Sequence, residues 1–325
     1  MMKPRVLFLT LGGTISTMSS AAGLVPAAGG EALLAMAPGL ADLADIRVEN
    51  LSLLASSSLD LDILLTLRDR IGAVHDADGV VITMGTDALE EVAFGLDLLL
   101  PQDRPVVVTG AMRAPVQPGS DFASNILNAV RVAVAAESRG FGVLVVMNEE
   151  AHAAVHVAKT HTSSLGAFAS PGLGPVAVVA EGEVRLRSRP PQRTGGPIDI
   201  KGKFPPVALI KATLGDDGRL LDQVADLGYQ GLVIEAMGGG HVRAEWVARL
   251  AALASRLPVV YASRTGAGAV LRSTYGYPGS ERDLLAAGFV SAGFLSGLKA
   301  RLLLMVGLMA GDDRAAIAQR FSQFQ

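Results

Sequence analysis

Hydroxyl and carboxylate side chains in this chain gather just beyond short apolar runs. Thr14 stands in LGGTIST behind Gly12 and Gly13, Ser56, Ser57 and Ser58 in ASSSLD, and Thr86 with Asp87 in MGTD, while GAMR, with Ala111, follows a further run. Such a hydroxyl can attack a carbonyl carbon only if a base removes its proton, since almost none is ionised near neutral pH. Lys159 is the candidate base. It lies in HVAKTHTSS, flanked by apolar residues and followed by Thr160, Thr162, Ser163 and Ser164, and it can accept a proton only if burial or a nearby cation lowers its pKa. Asp87, if within reach, would hold and tune its ammonium. Each residue taken singly also has a plainer reading: Gly12 and Gly13 as a tight turn, the serines as loop polarity, Asp87 as a helix N-cap, Lys159 as a solvated surface side chain. Their common location behind successive strands favours the chemical reading.

The elements that must position these residues alternate in type. Strand-like runs cover 5–10, 46–54, 80–83, 106–109 and 142–147, each short, apolar and β-rich. Helical patterns fill the intervals: 61–74 after Asp60, 88–100 after Asp87, and 121–137 with Phe122, Ile126, Leu127, Val130 and Val134 on one face. This alternation predicts an α/β fold with a doubly wound, mostly parallel sheet, in which ligands bind beyond the carboxyl ends of the strands. From 187 to 206 the sequence turns rich in Pro, Gly and charge, a composition that sustains neither a buried strand nor a regular helix. The expected division is a larger N-terminal catalytic domain over 1–190, a linker over 191–206 and a smaller C-terminal α/β domain over 207–325. In the latter, strands near 207–211, 232–234 and 259–262 alternate with helices near 246–257 and 298–309.

Composition narrows the class of partner. A chain of 325 residues exceeds what one compact core usually supports. Half of it is hydrophobic and 18% charged, which excludes extended disorder. The net charge of -3 comes without a basic run, which argues against nucleic acid or an anionic membrane and leaves a small molecule as the expected partner. With no cysteine, a disulfide, a thiolate metal site and a cysteine nucleophile are all excluded. No apolar stretch reaches the roughly 18 residues of a spanning helix, and the run 6–11 is too short for a signal core and lacks a cleavage site; the expected location is the cytoplasm.

Two cofactor readings are weak. His152 and His156 are spaced i,i+4 with His161 five residues on, but the glutamate of a helical zinc-hydrolase pair is missing and the segment reads as strand and loop. LGGTIST lacks the third glycine of a dinucleotide fingerprint, and no acidic ribose ligand ends the second strand. The expectation is that the site uses neither metal nor cofactor.

Taken in order and spacing, LGGTIST, MGTDALEEVAFGLDLLL, PVVVTGAMR with SDFASNILNAV, VLVVMNEE, KTHTSS, FASPGLGPV and the tail GFVSAGFLSGLKARLLLMVGLM resemble the bacterial L-asparaginase and glutaminase-asparaginase family over nearly the whole chain. The resemblance implies that Thr14 attacks the side-chain amide carbon of L-asparagine and forms an acyl-enzyme that water then releases. It implies that Thr86, Asp87 and Lys159 move protons and orient the nucleophile or the water. Ser56 would bind the substrate α-carboxylate and Asp87 the α-ammonium, with Gly13, Ser57 and Ala111 also lining the substrate, and N–H groups near Thr14 and Thr86 would stabilise the oxyanion. It further implies a homo-oligomer, a dimer or tetramer in which a neighbour's C-terminal domain closes the site.

Departures from the family pattern stand beside the matches. Leu24 falls where the family places a tyrosine on a loop after the first threonine, Ser57 where many members carry Gln, Met84 where a His precedes the second threonine, and Gly239 where an Asn is common. Tyr275, Tyr277 or Glu281 from a neighbouring subunit is the expected source of the missing polar contact, and a pocket with fewer ammonium ligands would accept amides other than asparagine. A degenerate amino-acid-binding homologue is the non-enzymatic alternative; a pure binder, however, has no use for Thr14, Thr86, Asp87 and Lys159 together.

Overall fold

The computed structural model describes residues 2–20, 23–26, 28–190 and 196–325, the side chains of 18–20 and 23–26 excepted, so the Leu24 side chain lies outside the described residues. The chain forms two compact units, Met1–Pro197 and Ile198–Gln325.

Unit one is built on strands β1 (Arg5–Thr10), β2 (Thr17–Ser20), β3 (Gly23–Pro26), β4 (Asp45–Asn50), β5 (Gly79–Thr83), β6 (Val106–Thr109), β7 (Val143–Met147), β8 (Glu150–Ala153), β9 (Ala158–Lys159), β10 (Phe168–Ala169), β11 (Ala177–Ala180) and β12 (Glu183–Leu186). Its helices are α1 (Gly30–Ala35), α2 (Leu40–Leu43), α3 (Asp62–Gly72), α4 (Leu89–Leu99) and α5 (Phe122–Val134). Eight strands form one sheet in the order β12-β11-β8-β7-β6-β5-β1-β4. β4, β1, β5, β6 and β7 run parallel, and β8, β11 and β12 extend the sheet antiparallel. Strands β1, β5, β6 and β7 are near-continuous apolar runs because both their faces are covered, whereas β4, at the sheet edge, carries charged and partly exposed residues. Val6, Phe8, Val81, Val107, Leu144 and Val146 pack with Phe122, Ile126, Ala129 and Val130 of α5 on one face. On the other, α3 and α4 approach so closely that a methyl group at Gly95 would meet Leu64 at 2.7 Å.

The chain leaves β1 for β4 on one side and returns to β5 on the other, so the crossovers diverge between β1 and β5. That crevice is where an open α/β sheet binds its ligands. In unit one, two expected elements overrun those formed by three residues or more. The strand expected over 46–54 stops at Asn50, because the Leu51 and Ser52 amides both turn onto the Thr10 carbonyl, at 3.0 and 3.2 Å, and end the ladder. The helix expected over 121–137 stops at Val134, beyond which Ala136–Ser138 form a single 3-10 turn.

Unit two carries the parallel sheet β13 (Val207–Lys211), β14 (Gly231–Ala236), β15 (Val259–Ser263) and β16 (Val290–Ser291), in that order. Helices α6 (Ala244–Ala254), α7 (Glu281–Ala286), α8 (Gly297–Met309) and α9 (Arg314–Ser322) complete it. Trp246, Leu250 and Leu253 of α6 join Leu232, Ile234, Val259 and Tyr261 in its core. The run Leu302 to Val306 of α8 is buried all round, as expected of a helix without a polar face. Among the described residues no helix is long and apolar enough to cross a membrane.

Candidate active site

The loops after β1 and β5 meet through two glycines. Gly12 and Gly13 both take positive φ, 86° and 80°, a region that disfavours any residue with a Cβ. A methyl at Gly13 would lie 2.1 Å from both Cα and N of Gly85. Backbone touches backbone here, and the next residue in each loop is a threonine: Thr14, half-buried, and Thr86, buried. The Gly13 carbonyl turns inward and accepts from Ser16 N–H at 3.0 Å and from Thr17 Oγ1 at 2.9 Å, which fixes the turn that presents Thr14.

Ser56 closes this corner from the third loop. It is buried, and a methyl on Gly85 would meet its Oγ at 2.6 Å. Ser56 Oγ accepts the Asp87 N–H at 3.1 Å, which leaves its own O–H free to donate to a carboxylate. Ser57 is exposed beside it.

Lys159 arrives from β9, far along the chain. Its Nζ donates to Thr86 Oγ1 at 2.9 Å and to Asp87 Oδ1 at 2.7 Å. The Lys159 side chain is 18% exposed and that of Asp87 64%, so Lys159 is not a freely solvated side chain. Nor does Asp87 cap α4: the capping position is Ala88, and no side chain caps that helix. A hydroxyl, an amine and a carboxylate in hydrogen-bond contact can pass a proton and hold a charge, while Asp87 retains exposed oxygen surface for a cationic group.

Ala111 is fully buried in the fourth loop, just past Gly110, where a methyl would meet Thr86 Cγ2 at 3.2 Å. Asp121 does hold the N-cap position of α5, as its place in the sequence suggests, but its side chain caps none of that helix's amides and serves this loop. Its carboxylate accepts from Met112 N–H at 3.0 Å, Arg113 N–H at 2.9 Å and Asn125 Nδ2 at 2.9 Å. Asn125 also donates to the Gly110 carbonyl at 3.0 Å and accepts from Asn148 N–H at 3.0 Å. Sequence reasoning passed over Asp121, Asn125 and Glu90, whose Oε1 accepts the Lys159 backbone N–H at 3.2 Å. The available signal was a polar residue on the apolar face of each helix.

The family profile described as Asparaginase, N-terminal, matches residues 5–192, and that described as Glutaminase/Asparaginase C-terminal domain matches 206–321. The chain belongs to the asparaginase family. Among its relatives, "L-asparaginase 2" of Bacillus subtilis is 33% identical over 99% of this chain and 87% of its own length. "L-asparaginase 2" of Escherichia coli is 32% identical over 99% and 93%, and "Probable L-asparaginase" of Deinococcus radiodurans 36% over 98% and 98%. A crystal structure described as "Probable Cytoplasmic L-asparaginase from Campylobacter jejuni" superposes with a TM-score of 0.89 at 32% identity, covering 98% of this chain and 99% of that one. The mixed α/β architecture, with its larger mostly parallel sheet and smaller parallel one, is that of the asparaginases, and the chain is an amidohydrolase.

Several departures from other asparaginases have visible settings. Met84 is fully buried. At Gly239 a Cβ would meet Leu271 Cδ1 at 2.6 Å, so the Leu271 side chain occupies the room a larger residue would need. Glu281 is fully buried in unit two, where its Oε1 accepts from Thr274 N–H at 2.7 Å and Tyr275 N–H at 2.6 Å. Its Oε2 lies 3.1 Å from His241 Nε2, and His241 Nδ1 lies 3.0 Å from the Tyr277 hydroxyl. An ionised carboxylate only accepts, so Nε2–H donates to Glu281, and in the neutral imidazole Nδ1 then accepts from Tyr277. Burial alone would push the Glu281 carboxyl up; the N–H groups of Tyr275, Glu281 and Thr274, with His241, outweigh it and hold it below its ordinary range. Glu281 is thus engaged within its own unit, whereas Tyr275 and Tyr277 are exposed.

The histidines of HAAVHVAKTH do not share one helical face. His152 lies on β8, His156 in the turn after it, and His161 Nδ1 accepts from Ser163 N–H and Ser164 N–H, both at 3.0 Å. Among the described residues no group of three His, Cys, Asp or Glu side chains is placed to hold a metal ion.

Proposed function

We propose that this asparaginase hydrolyses L-asparagine to L-aspartate and ammonia with Thr14 as nucleophile. Thr14 Oγ attacks the side-chain amide carbon, its proton passes by way of a neighbouring base to the departing nitrogen, and the carbon–nitrogen bond breaks as ammonia leaves. Water then cleaves the ester and returns the proton to Thr14. Thr86, Lys159 and Asp87 act as one proton-handling unit. Ser56 donates to the α-carboxylate, Asp87 faces the α-ammonium, and Ala111 and Gly13 line the amide. The oxyanion is met by N–H groups of the glycine turns, each worth about 3–4 kcal/mol in transition-state stabilisation.

What carries the reading is the contact of Lys159 Nζ with both Thr86 Oγ1, at 2.9 Å, and Asp87 Oδ1, at 2.7 Å. A partly exposed ion pair contributes only about 0–1 kcal/mol to stability, so folding alone gives little reason to bring a lysine there. The test is ammonia release from L-asparagine by the parent, Thr14→Ala and Thr86→Ala. The expected result is loss of turnover in both variants; undiminished release by Thr14→Ala removes the nucleophile assignment.

Exposed Ser57, a short side chain where many asparaginases carry Gln, favours a second reading within this class: weaker selection for the α-ammonium and turnover of related small amides such as glutamine. Losing one charge-assisted bond weakens selection by about 1.5–3 kcal/mol. A substrate panel with strict L-asparagine preference rejects it. The chain is further proposed to work as a homodimer or homotetramer, with 191–206 as the linker between its domains and Tyr275 or Tyr277 of a neighbouring copy supplying the contact absent at Leu24. Sedimentation and the Tyr275→Phe, Tyr277→Phe pair test both. A cytoplasmic location is proposed on the description of the Campylobacter relative; another, "Probable L-asparaginase periplasmic" of Haemophilus influenzae, shares 33% identity, so fractionation must decide it.

A further inference from the structure

Lys159 is tied to the segment 86–90 at three points, of which the two at its Nζ belong to the proton-handling unit. The third is on its main chain. β9 is only two residues long and pairs with β10 alone, in a sheet of two strands. Within that hairpin the ladder bond is made by the next residue, Thr160 N–H to the Ala167 carbonyl at 2.7 Å, so the Lys159 N–H points away from β10. Glu90 Oε1 receives it at 3.2 Å. Glu90 lies on the first turn of α4, four residues after Thr86 and three after Asp87, and is 8% exposed.

Burying a carboxyl group to this degree costs desolvation that a single amide bond only partly offsets. The bond anchors the lysine backbone to the first turn of α4, directly after the loop that presents Thr86 and Asp87. The four-carbon stem of a lysine is flexible; fixing its Cα limits where Nζ can go.

We propose that Glu90 is a positioning residue for Lys159, holding its main chain so that Nζ meets Thr86 Oγ1 and Asp87 Oδ1 together. This rests on the reading of Lys159 as a proton-handling group. It adds a residue that touches neither substrate nor reacting atoms.

The experiment compares Glu90→Ala, Glu90→Gln and Lys159→Met in the full chain, with steady-state ammonia release from L-asparagine and amide hydrogen exchange of the peptide containing Lys159. Misplacing a catalytic group by about 1 Å can cost on the order of a hundredfold in rate. Glu90→Ala is therefore expected to lower kcat roughly ten- to hundredfold with KM little changed, and to speed exchange at Lys159 N–H. Glu90→Gln keeps an oxygen acceptor and is expected to recover most of both. Should Glu90→Ala fail to fold, Glu90→Asp, which withdraws the acceptor by one methylene, replaces it with the same expectation. Parental kcat in the shortened variant overturns the proposal, as does a Gln variant no better than Ala, or a loss confined to KM. If Lys159→Met turns over normally, the reading of Lys159 itself fails and the proposal with it. If Lys159→Met is inactive while Glu90→Ala is not, only the role of Glu90 is lost.

Discussion

Gly13 and Gly85 approach so closely that a single added methyl on Gly13 would sit 2.1 Å from the Gly85 Cα. This contact joins the loops after β1 and β5 at the crevice where the crossovers diverge, and it sets Thr14 and Thr86 one residue beyond it. The two threonines are 72 positions apart in the chain, and it is backbone packing that makes them neighbours.

Gly85→Ala tests that joint without a positive-φ penalty, since Gly85 is not among the residues of positive φ. Its Cβ would meet Ser56 Oγ at 2.6 Å and Gly13 Cα at 3.1 Å. The expected cost is about 1–3 kcal/mol of stability by overpacking and a hundredfold or so in kcat, by the sensitivity of positioned groups to small shifts. Chemical denaturation and ammonia release measure the two; a variant with parental turnover shows that the joint need not be tight.

Lys159→Met separates chemistry from folding. Its ion pair with Asp87 is partly exposed and contributes about 0–1 kcal/mol, so the melting temperature is expected to move little. Loss of a proton-transfer group costs about a hundredfold or more in kcat. Equal losses in both measurements would instead mark Lys159 as a structural residue.

His152 predicts an acid sensitivity of folding. It is buried on β8, its Nδ1 3.0 Å from Ser170 Oγ, and its Nε2 lies 3.2 Å from Glu150 Oε2 without the alignment of a hydrogen bond. Burial pushes the imidazole below its ordinary 6.5, against the attraction of Glu150. The unfolded chain therefore takes up this proton first: the contribution is fully present above the unfolded value and is lost as pH falls through the folded one. Thermal melts at about pH 7.5 and about pH 5 should show a larger acid loss for the parent than for His152→Asn. An identical pH slope in the two proteins removes His152 as the source.

Glu281 has the opposite occupancy and the same direction with pH. Its folded value is held below 4.5, so its stabilisation is present above the unfolded value and disappears as pH falls through the folded one. Glu281→Ala leaves the Thr274 and Tyr275 amides without their acceptor, and is expected to cost about 1–3 kcal/mol at neutral pH, measured by denaturant titration. Glu281→Gln should recover part of that cost by keeping one acceptor oxygen; a full loss in Gln would show that the charge, more than the hydrogen bonds, holds the segment.

The parallel strands of the larger sheet's centre were legible in the sequence because a strand buried on both faces is apolar throughout, whereas the short antiparallel strands β8, β11 and β12, and the two-residue β16, carry no apolar run buried on both faces and were not expected. Arg5–Thr10, Val106–Thr109 and Val207–Lys211 run where their residues say they should. Thr14, Ser56, Thr86 and Ala111 were legible as loop residues at the carboxyl edge, since strand and loop alternate in local composition. The strand expected past Asn50 was not formed, because where a ladder ends is settled by the neighbouring strand, here through the Thr10 carbonyl.

What the amino-acid order determined by itself was which residue types stand at which strand ends, and hence the family and its chemistry. Only the tertiary structure decided who meets whom: that Asp87 faces Lys159 and does not cap α4, that Asp121 serves the Ala111 loop, that Glu90 receives the Lys159 amide, and that Glu281 is spent on its own unit. Local pattern reports burial and backbone preference, which depend on near neighbours. A hydrogen bond between residues 69 or 73 positions apart, as Lys159 makes with Glu90 and Thr86, depends on how separate elements pack, and packing geometry leaves no periodic trace in the chain.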